Sequence, residues 1–301
     1  MNYYNEIKNK LIDNEVYKKV KDYSKNRNDL NTYYEVGKLL IEAQGGENRA
    51  KYGDNLIKEY SKRLFNDIGR KYNITTLKRI RQFYLVVEKG APLAHQLTWS
   101  HYCELLPLKD INEINYYIQI TIEQCLSKRQ LRERIKTKEY QRLDDNTKLK
   151  LINKEEVNVS DFIKNPIIIK NKYNYDIENI SEKILQRLII EDIEGFMKEL
   201  GDGFCFIGSE YKIKIGNTYN YIDLLLFNIK YNCYVVIELK VCKFKKEHIG
   251  QIEVYMNYID RHIKSINQDK TIGIIISRRD NHYYIEYSSD KRIYTREYII
   301  S

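Results

Sequence analysis

The sequence predicts an all-helical domain followed by an α/β domain, a mixed sheet flanked by helices. Three observations predict it. Through about residue 140, apolar side chains recur at helical spacing between short polar breaks. From about residue 176 the pattern changes to apolar runs of strand length, bounded by turn-forming residues and interrupted by one helix-like stretch. Inside two of those runs lie three charged side chains, Asp223, Glu238 and Lys240. Burying such groups is costly unless they are paired or bind a metal.

In the helical part, residues 30–43 place Leu30, Tyr33, Tyr34, Gly37, Leu40 and Ile41 near one face, and Gly45-Gly46 stops that helix. Further helices are expected over 53–68, 75–87, 99–107, 111–125 and 128–140, with Thr98, Asp110 and Ser127 standing at N-caps. The last of these is crowded with Lys128, Arg129, Arg132, Arg134, Lys136 and Lys138. Leu131 and Ile135 dock it, while Arg129, Arg132 and Lys136 fall on another strip. That strip is either an ordinary solvated face or a phosphate-contacting one. Lys78, Arg79 and Arg81 form a shorter basic cluster open to the same two readings. Trp99, the only tryptophan, reads with His101 and Tyr102 as a core or interface aromatic more readily than as a base-stacking platform.

Residues 146–175 read as a linker, largely polar, with an apolar run at 167–169 able to form a strand or to pack against the next domain. The domains are thus 1–145 and 176–301. In the second, one long helix covers 177–200 and is ended by Gly201. Strands are expected at 204–215, 219–227, 233–239, 271–277 and 283–287, with a helix over 246–263 between the third and the fourth. This helix-strand-strand-strand-helix-strand order makes an α/β layer. A turn at 229–232 brings Asp223 and Glu238 onto neighbouring strands, where those strands diverge. Two hard oxygen ligands at one spot, with a lysine two residues on, suit Mg²⁺ beside a group able to orient a water. A Glu-x-Lys triplet on its own has a plainer source in the alternating charges of an exposed strand.

Composition narrows the function. Five cysteines form no CxxC pair and five histidines never fall at metal-ligand spacing, which argues against zinc and disulfides and fits a reducing cytoplasm. No GxxxxGK[ST] loop is present, and no apolar run approaches 18 residues, so neither an ATPase nor a membrane or secreted protein is expected. The formal charge is +9, and its distribution is uneven: residues 1–150 hold 29 Lys and Arg against 20 Asp and Glu, residues 151–301 hold 22 of each. Such asymmetry suggests a polyanion partner for the helical domain. The abundance of Lys, Asn, Ile and Tyr, which AT-rich coding also produces, weakens that signal.

Asp223 with Glu238-Leu239-Lys240, followed by a helix opening Gly250-Gln251 and continuing to Tyr255, resembles the PD-(D/E)XK nuclease superfamily. The closer resemblance is to its YhcG-like bacterial family. It is carried by Leu200-Gly201-Asp202-Gly203-Phe204, Tyr221-Ile222-Asp223-Leu224-Leu225, Ile237-Glu238-Leu239-Lys240 and Ile272-Gly273-Ile274-Ile275. In the first half it is carried by Tyr33-Tyr34-Glu35-Val36-Gly37-Lys38 and Trp99-Ser100-His101-Tyr102-Cys103-Glu104-Leu105-Leu106. The resemblance implies a restriction-endonuclease-like core with Asp223, Glu238 and the Leu239 carbonyl on Mg²⁺, for which Mn²⁺ can substitute. It implies that Lys240 positions or activates the attacking water and that Gln251 and Tyr255 support the site, with Lys243, Lys245 and His248 flanking the cleft as contacts for nucleic-acid phosphates.

Many relatives carry a glutamate on the first helix, where this sequence has Gln186. Glu182, one turn earlier and about 20° from the direction of Ile189 and Ile193 at roughly 100° per residue, is the substitute, whereas Glu191 points the other way, toward solvent. By the same pattern Gln186→Glu should be tolerated. The resulting reading is a Mg²⁺-dependent endonuclease cleaving DNA, RNA remaining open as substrate, in restriction, phage defence or mobile-element processing. The helical domain, through Lys128, Arg129, Arg132 and Lys136, would bind DNA or form a homodimer, and partner subunits fit the same scheme. The alternative is a nucleic-acid- or partner-binding protein with weak or lost catalysis on a nuclease fold.

Overall fold

The computed structural model describes residues 3–19, 25–46, 50–69, 72–176, 180–243, 245–279 and 290–301. The chain divides into two compact units, Met1–Tyr140 and Gln141–Ser301.

The first unit is helical among its described residues: α1 (Tyr3–Lys19), α2 (Lys25–Ala43), α3 (Ala50–Ile68), α4 (Ile74–Glu88), α5 (Trp99–Leu105), α6 (Ile111–Glu123) and α7 (Lys128–Lys136). Helix α1 was not expected individually, although Tyr4, Ile7 and Leu11 recur every three to four residues and are buried. Asp110 and Ser127 cap α6 and α7 by accepting from Asn112 and Gln130 backbone N–H groups, and Asn73 caps α4 in the same way. Gly37 lets α2 press on α4, since a Cβ there would lie 2.6 Å from the Ile80 carbonyl oxygen. Trp99 is committed to packing, its ring 4.7 Å from that of Tyr33 and 5.4 Å from that of Phe83. Tyr102 is fully buried, with its hydroxyl donating to the Pro92 carbonyl.

The second unit adds α8 (Asp145–Asn153), β1 (Ile167–Ile169), α9 (Glu182–Glu191), α10 (Ile193–Leu200), β2 (Phe204–Ile215), β3 (Thr218–Asn228), β4 (Cys233–Lys243), α11 (Lys246–His262), β5 (Asp269–Arg279) and β6 (Ile293–Ile300). Among the described residues its mixed sheet has six strands in the order β1-β6-β5-β4-β3-β2, antiparallel between β2, β3 and β4 and parallel from β4 to β1. One apolar cluster packs α9 and α10 on one side of the sheet, through Leu185, Leu188, Ile189 and Phe196. A second packs α11 on the other, through Ile252, Tyr255, Met256 and Ile259. Gly273 allows that approach, because a Cβ there would stand 2.6 Å from Met256 Sδ.

Two expectations are corrected and a third falls outside the described residues. The stretch expected as a linker is built into the second unit: β1 pairs with β6, Arg142 donates to Pro166 O and pairs with Glu199, and buried Lys164 donates to Lys198 O. The single helix expected over 177–200 is two, broken at Asp192, whose backbone (φ −126°, ψ 47°) leaves the helical region, and residues 177–179 lie outside the described residues. The Asp192 carboxylate makes no cap bond to α10 and pairs instead with Lys172 at 2.9 Å. The strand expected at 283–287 also lies outside the described residues, and the last strand observed is β6.

Candidate active site

Strands β3 and β4 form a hairpin whose paired register runs from Asn228–Cys233 to Leu224–Ile237. One step further along that register stand Asp223 and Glu238. The apolar residues on both sides (Ile222, Leu224, Leu225, Val236, Ile237 and Leu239, none of them solvent-exposed) drive the hairpin into the core and carry the two acids with it. Glu238 is 2% exposed and Lys240 is 9%.

The acids and the lysine are bonded in a particular way. Asp223 Oδ2 accepts from the Leu239 N–H at 2.8 Å. Lys240 Nζ donates to Glu238 Oε1 at 2.8 Å and reaches Glu182 Oε2 at 3.4 Å. Glu238 Oε2, although buried, has no hydrogen-bond partner. Gln186 Nε2 donates to the Asp223 carbonyl oxygen at 2.9 Å. Sequence reasoning had treated Gln186 as the place of a lost acid; the structure uses it as a donor that pins Asp223. An ionised glutamate cannot make that bond, so the tolerance expected of Gln186→Glu is withdrawn.

Electrostatics follow from the burial. The Glu238 carboxyl is pushed up to about 7, first by burial and then by the Asp223 charge, against the pull of Lys240. Burial also raises Asp223, offset by the Leu239 N–H and Lys240, with Glu182 and Glu210 adding to the rise. Burial alone would lower the Lys240 ammonium, but the surrounding carboxylates, Glu238 first, outweigh it and hold it above its ordinary value. His248 in the first turn of α11 is lowered, by burial first and by Lys240 second.

Glu182, the first residue of α9, is thereby brought to the lysine of the cluster. Glu191 is not turned to solvent as expected: Tyr175 donates to its Oε1 at 2.8 Å and its Oε2 is buried without a partner. Glu191 is the last residue of α9, and Tyr175, from the segment before the helix, covers the face that helical spacing alone assigns to solvent. Gln251 Nε2 bonds Tyr255 Oη at 3.2 Å, and Tyr255 packs in the α11 core, so this pair is bonded to itself rather than to the acids. Lys243 and Lys245 are exposed at the end of β4 and the start of α11, where the Lys245 N–H donates to His248 Nδ1.

One neighbour of the site escaped sequence reasoning. Glu210 on β2 falls opposite Asp223, between the pairs Ser209–Leu224 and Tyr211–Ile222, and adopts φ +46°. Ile222 and Leu225, three apart and hence on opposite faces of an ideal strand, join the same core cluster. Strand alternation therefore slips across Asp223, and the left-handed Glu210 is the partner-strand residue at the slip. No local sequence signal marks it.

Whether a metal fits is decided by the orphaned oxygen. Among the described residues no group of three or more His, Cys, Asp or Glu side chains is arranged around one ion. Mg²⁺, however, commonly takes one or two carboxylates and keeps several waters. Glu238 Oε2 and the second Asp223 oxygen supply that set. A buried carboxylate oxygen without a partner, Glu238 Oε2, beside a second carboxylate fits a cation.

An aspartate at the diverging end of one strand and Glu-x-Lys on the next, packed between helices of an α/β sheet, define a nuclease domain of the PD-(D/E)XK class. Two family models match the chain: the YhcG PDDEXK nuclease domain over residues 164–300 and the DUF1016 N-terminal domain over residues 9–142. Together the two models span most of the chain, which thus resembles the YhcG-like proteins of this class with their helical N-terminal domain. It is 29% identical over 284 residues to a protein of Escherichia coli (strain K12) described as "Putative nuclease YhcG", covering 81% of this chain and 75% of that one. Among solved structures it is similar to a repair endonuclease from Pyrococcus abyssi (18% identity, 41% of this chain, 49% of that one, TM-score 0.29). It is also similar to an EndoMS–dsDNA complex (20% identity, 41% and 48%, TM-score 0.30). The chain spans about half the length of each of these two.

The placement of the two glutamates makes a prediction. Glu182→Gln removes a charge beside Lys240 and should weaken divalent-metal binding or slow cleavage. Glu191→Gln should leave both unchanged and cost roughly 1 kcal/mol of stability through its Tyr175 bond. Metal titration, cleavage rates and thermal melts of both variants check this; equal metal affinity and equal cleavage in Glu182→Gln and the unaltered protein would remove Glu182 from the site.

Proposed function

We propose that this protein is a Mg²⁺-dependent endonuclease that hydrolyses phosphodiester bonds of DNA. The observation that carries the reading is the buried, unpartnered Glu238 Oε2 beside Asp223, with Lys240 bonded on the other side of the same carboxylate. Asp223 and Glu238 hold the metal, and the Leu239 N–H fixes Asp223 in place. When bound, Mg²⁺ supplies Lewis-acid stabilisation of the phosphate and a water of lowered pKa, and Mn²⁺ fits the same ligands. Lys240, held between Glu238 and Glu182, orients the attacking water or donates to a phosphate oxygen. The surrounding apolar wall keeps bulk water out, which strengthens each of these charges. Incubating the purified protein with linear, supercoiled, branched and single-stranded DNA and with RNA, in Mg²⁺, Mn²⁺ or EDTA, tests it. Metal-dependent cleavage of DNA supports the reading, and no cleavage under any metal leaves a binding protein on a nuclease fold.

The helical unit contributes DNA contacts through α7. Lys128 and Arg132 there are already engaged by Glu104, Arg132 bidentately at 2.8 Å. Arg129 and Lys136 are exposed and form no ion pair among the described residues, so they are the stronger phosphate contacts. Arg129→Glu with Lys136→Glu should weaken DNA binding about equally across sequences and lower the slope of log affinity against log salt by about 2. An unchanged slope in a salt titration would assign the module to assembly, a homodimer first.

A further inference from the structure

Beyond Asp223, strands β2 and β3 continue as a two-stranded ribbon to the turn at Gly216-Asn217, pairing as Tyr211–Ile222, Lys212–Tyr221, Ile213–Asn220, Lys214–Tyr219 and Ile215–Thr218. Its inner face is apolar: Ile213 and Ile222 are buried, and Tyr211 packs beside them against the α11 core. The outer face holds Lys212, Lys214, Tyr219 and Tyr221. All four are exposed, the two tyrosines at 53% and 52%. Neither lysine forms an ion pair among the described residues, and Lys212 Nζ lies 3.9 Å from the Tyr219 ring centroid, Lys214 Nζ 5.9 Å.

Two large exposed aromatics beside two unneutralised ammonium groups are a poor surface for solvent alone. They are the elements of a stacking platform for a charged strand: lysines for phosphates, ring faces for bases. Tyr221 lies two residues from Asp223, about 7 Å along the strand at roughly 3.3 Å per residue, so the strip runs directly into the carboxylate site. A base inside a duplex is already stacked on its neighbours and offers no free face to a side chain, whereas an unpaired one does.

We infer that the outer face of the β2–β3 ribbon binds an unpaired stretch of the nucleic-acid substrate next to the scissile phosphate, Lys212 and Lys214 on its phosphates and Tyr219 and Tyr221 against its bases. The inference rests on the nuclease reading above and specifies its substrate: nucleic acid with unpaired nucleotides at the cleavage point. Exposure of all four side chains leaves the fold independent of them.

The test is fluorescence anisotropy in EDTA, so that nothing is cleaved, with labelled single-stranded and duplex oligonucleotides of one sequence. The full-length protein is compared with Tyr219→Ala/Tyr221→Ala, Tyr219→Phe/Tyr221→Phe and Lys212→Glu/Lys214→Glu. The alanine pair should weaken single-strand binding by about 10-fold or more and leave duplex binding almost unchanged, and the phenylalanine pair should keep the affinity. The lysine reversal should weaken single-strand binding and lower the salt slope by about 2. Equal losses on single strand and duplex in the alanine pair overturn the unpaired-base assignment. Ribbon variants that bind as the unaltered protein does overturn the ribbon alone. Failure of the unaltered protein to bind either oligonucleotide overturns the ribbon, while the nuclease reading stands or falls on the cleavage assay with metal.

Discussion

Asp223→Ala and Glu238→Ala each lower Mg²⁺-supported cleavage by at least ~10³-fold, since each removes charge stabilisation worth several kcal/mol from the transition state. The loss arises by different routes. Glu238→Ala removes the orphaned oxygen and frees Lys240 from its 2.8 Å partner, so the metal and the ammonium group are both misplaced. Asp223→Ala removes a ligand and leaves the Leu239 N–H without its acceptor on β3. The double variant should cost little more than either single one, because side chains that act as one unit lose their effect together. Rates from single-turnover cleavage with metal in excess decide this. Either variant cutting as fast as the unaltered protein removes that acid from the chemistry.

Much of the second unit was legible because its strands are apolar enough to be read without their neighbours. The ends of β2 coincide with the expected run, and the β3–β4 hairpin and α11 fall within a few residues of expectation. The position of Asp223 opposite Glu238 follows from that hairpin alone. What was not legible depends on tertiary contact. Residues 146–175 look like a linker because they are polar, yet Arg142, Lys164 and Arg296 satisfy carbonyls that no local pattern announces. The β6 sequence Ile-Tyr-Thr-Arg-Glu-Tyr-Ile-Ile is too mixed to read as an interior strand; parallel partners on both sides make it one. Glu210 became visible only through register, and Glu191 was misplaced because helical spacing does not announce that Tyr175 covers its face. The role of Gln186 was inverted for a related reason: comparison with an acidic pattern records a missing charge, while the geometry records a donor used on the backbone of the aspartate.

The same burial that prepares Glu238 for a cation should make it a liability without one. In the metal-free protein its carboxyl is held at about 7 against an ordinary 4.5. The native state therefore binds a proton more tightly than the unfolded chain does. With the folded value raised, native stability is greatest below about pH 4.5 as far as this group is concerned, and it falls as pH rises toward 7. A shift of that size corresponds to about 3 kcal/mol by pH 8. Glu238→Gln keeps the shape, removes the charge and should raise the melting temperature of the metal-free protein at pH 8 by several degrees. At pH 4.5 the two proteins should melt much closer together. Saturating Mg²⁺ should stabilise the unaltered protein at pH 8 and leave Glu238→Gln nearly unmoved, since binding to the native state alone adds stability through mass action. Melts across pH 4.5 to 8, with Mg²⁺ and with EDTA, measure all three comparisons. A Glu238→Gln protein less stable than the unaltered one at pH 8 in EDTA would mean that the Lys240 bond more than offsets the cost of burial. The buried acid would then be a structural ion pair rather than a site strained toward a cation.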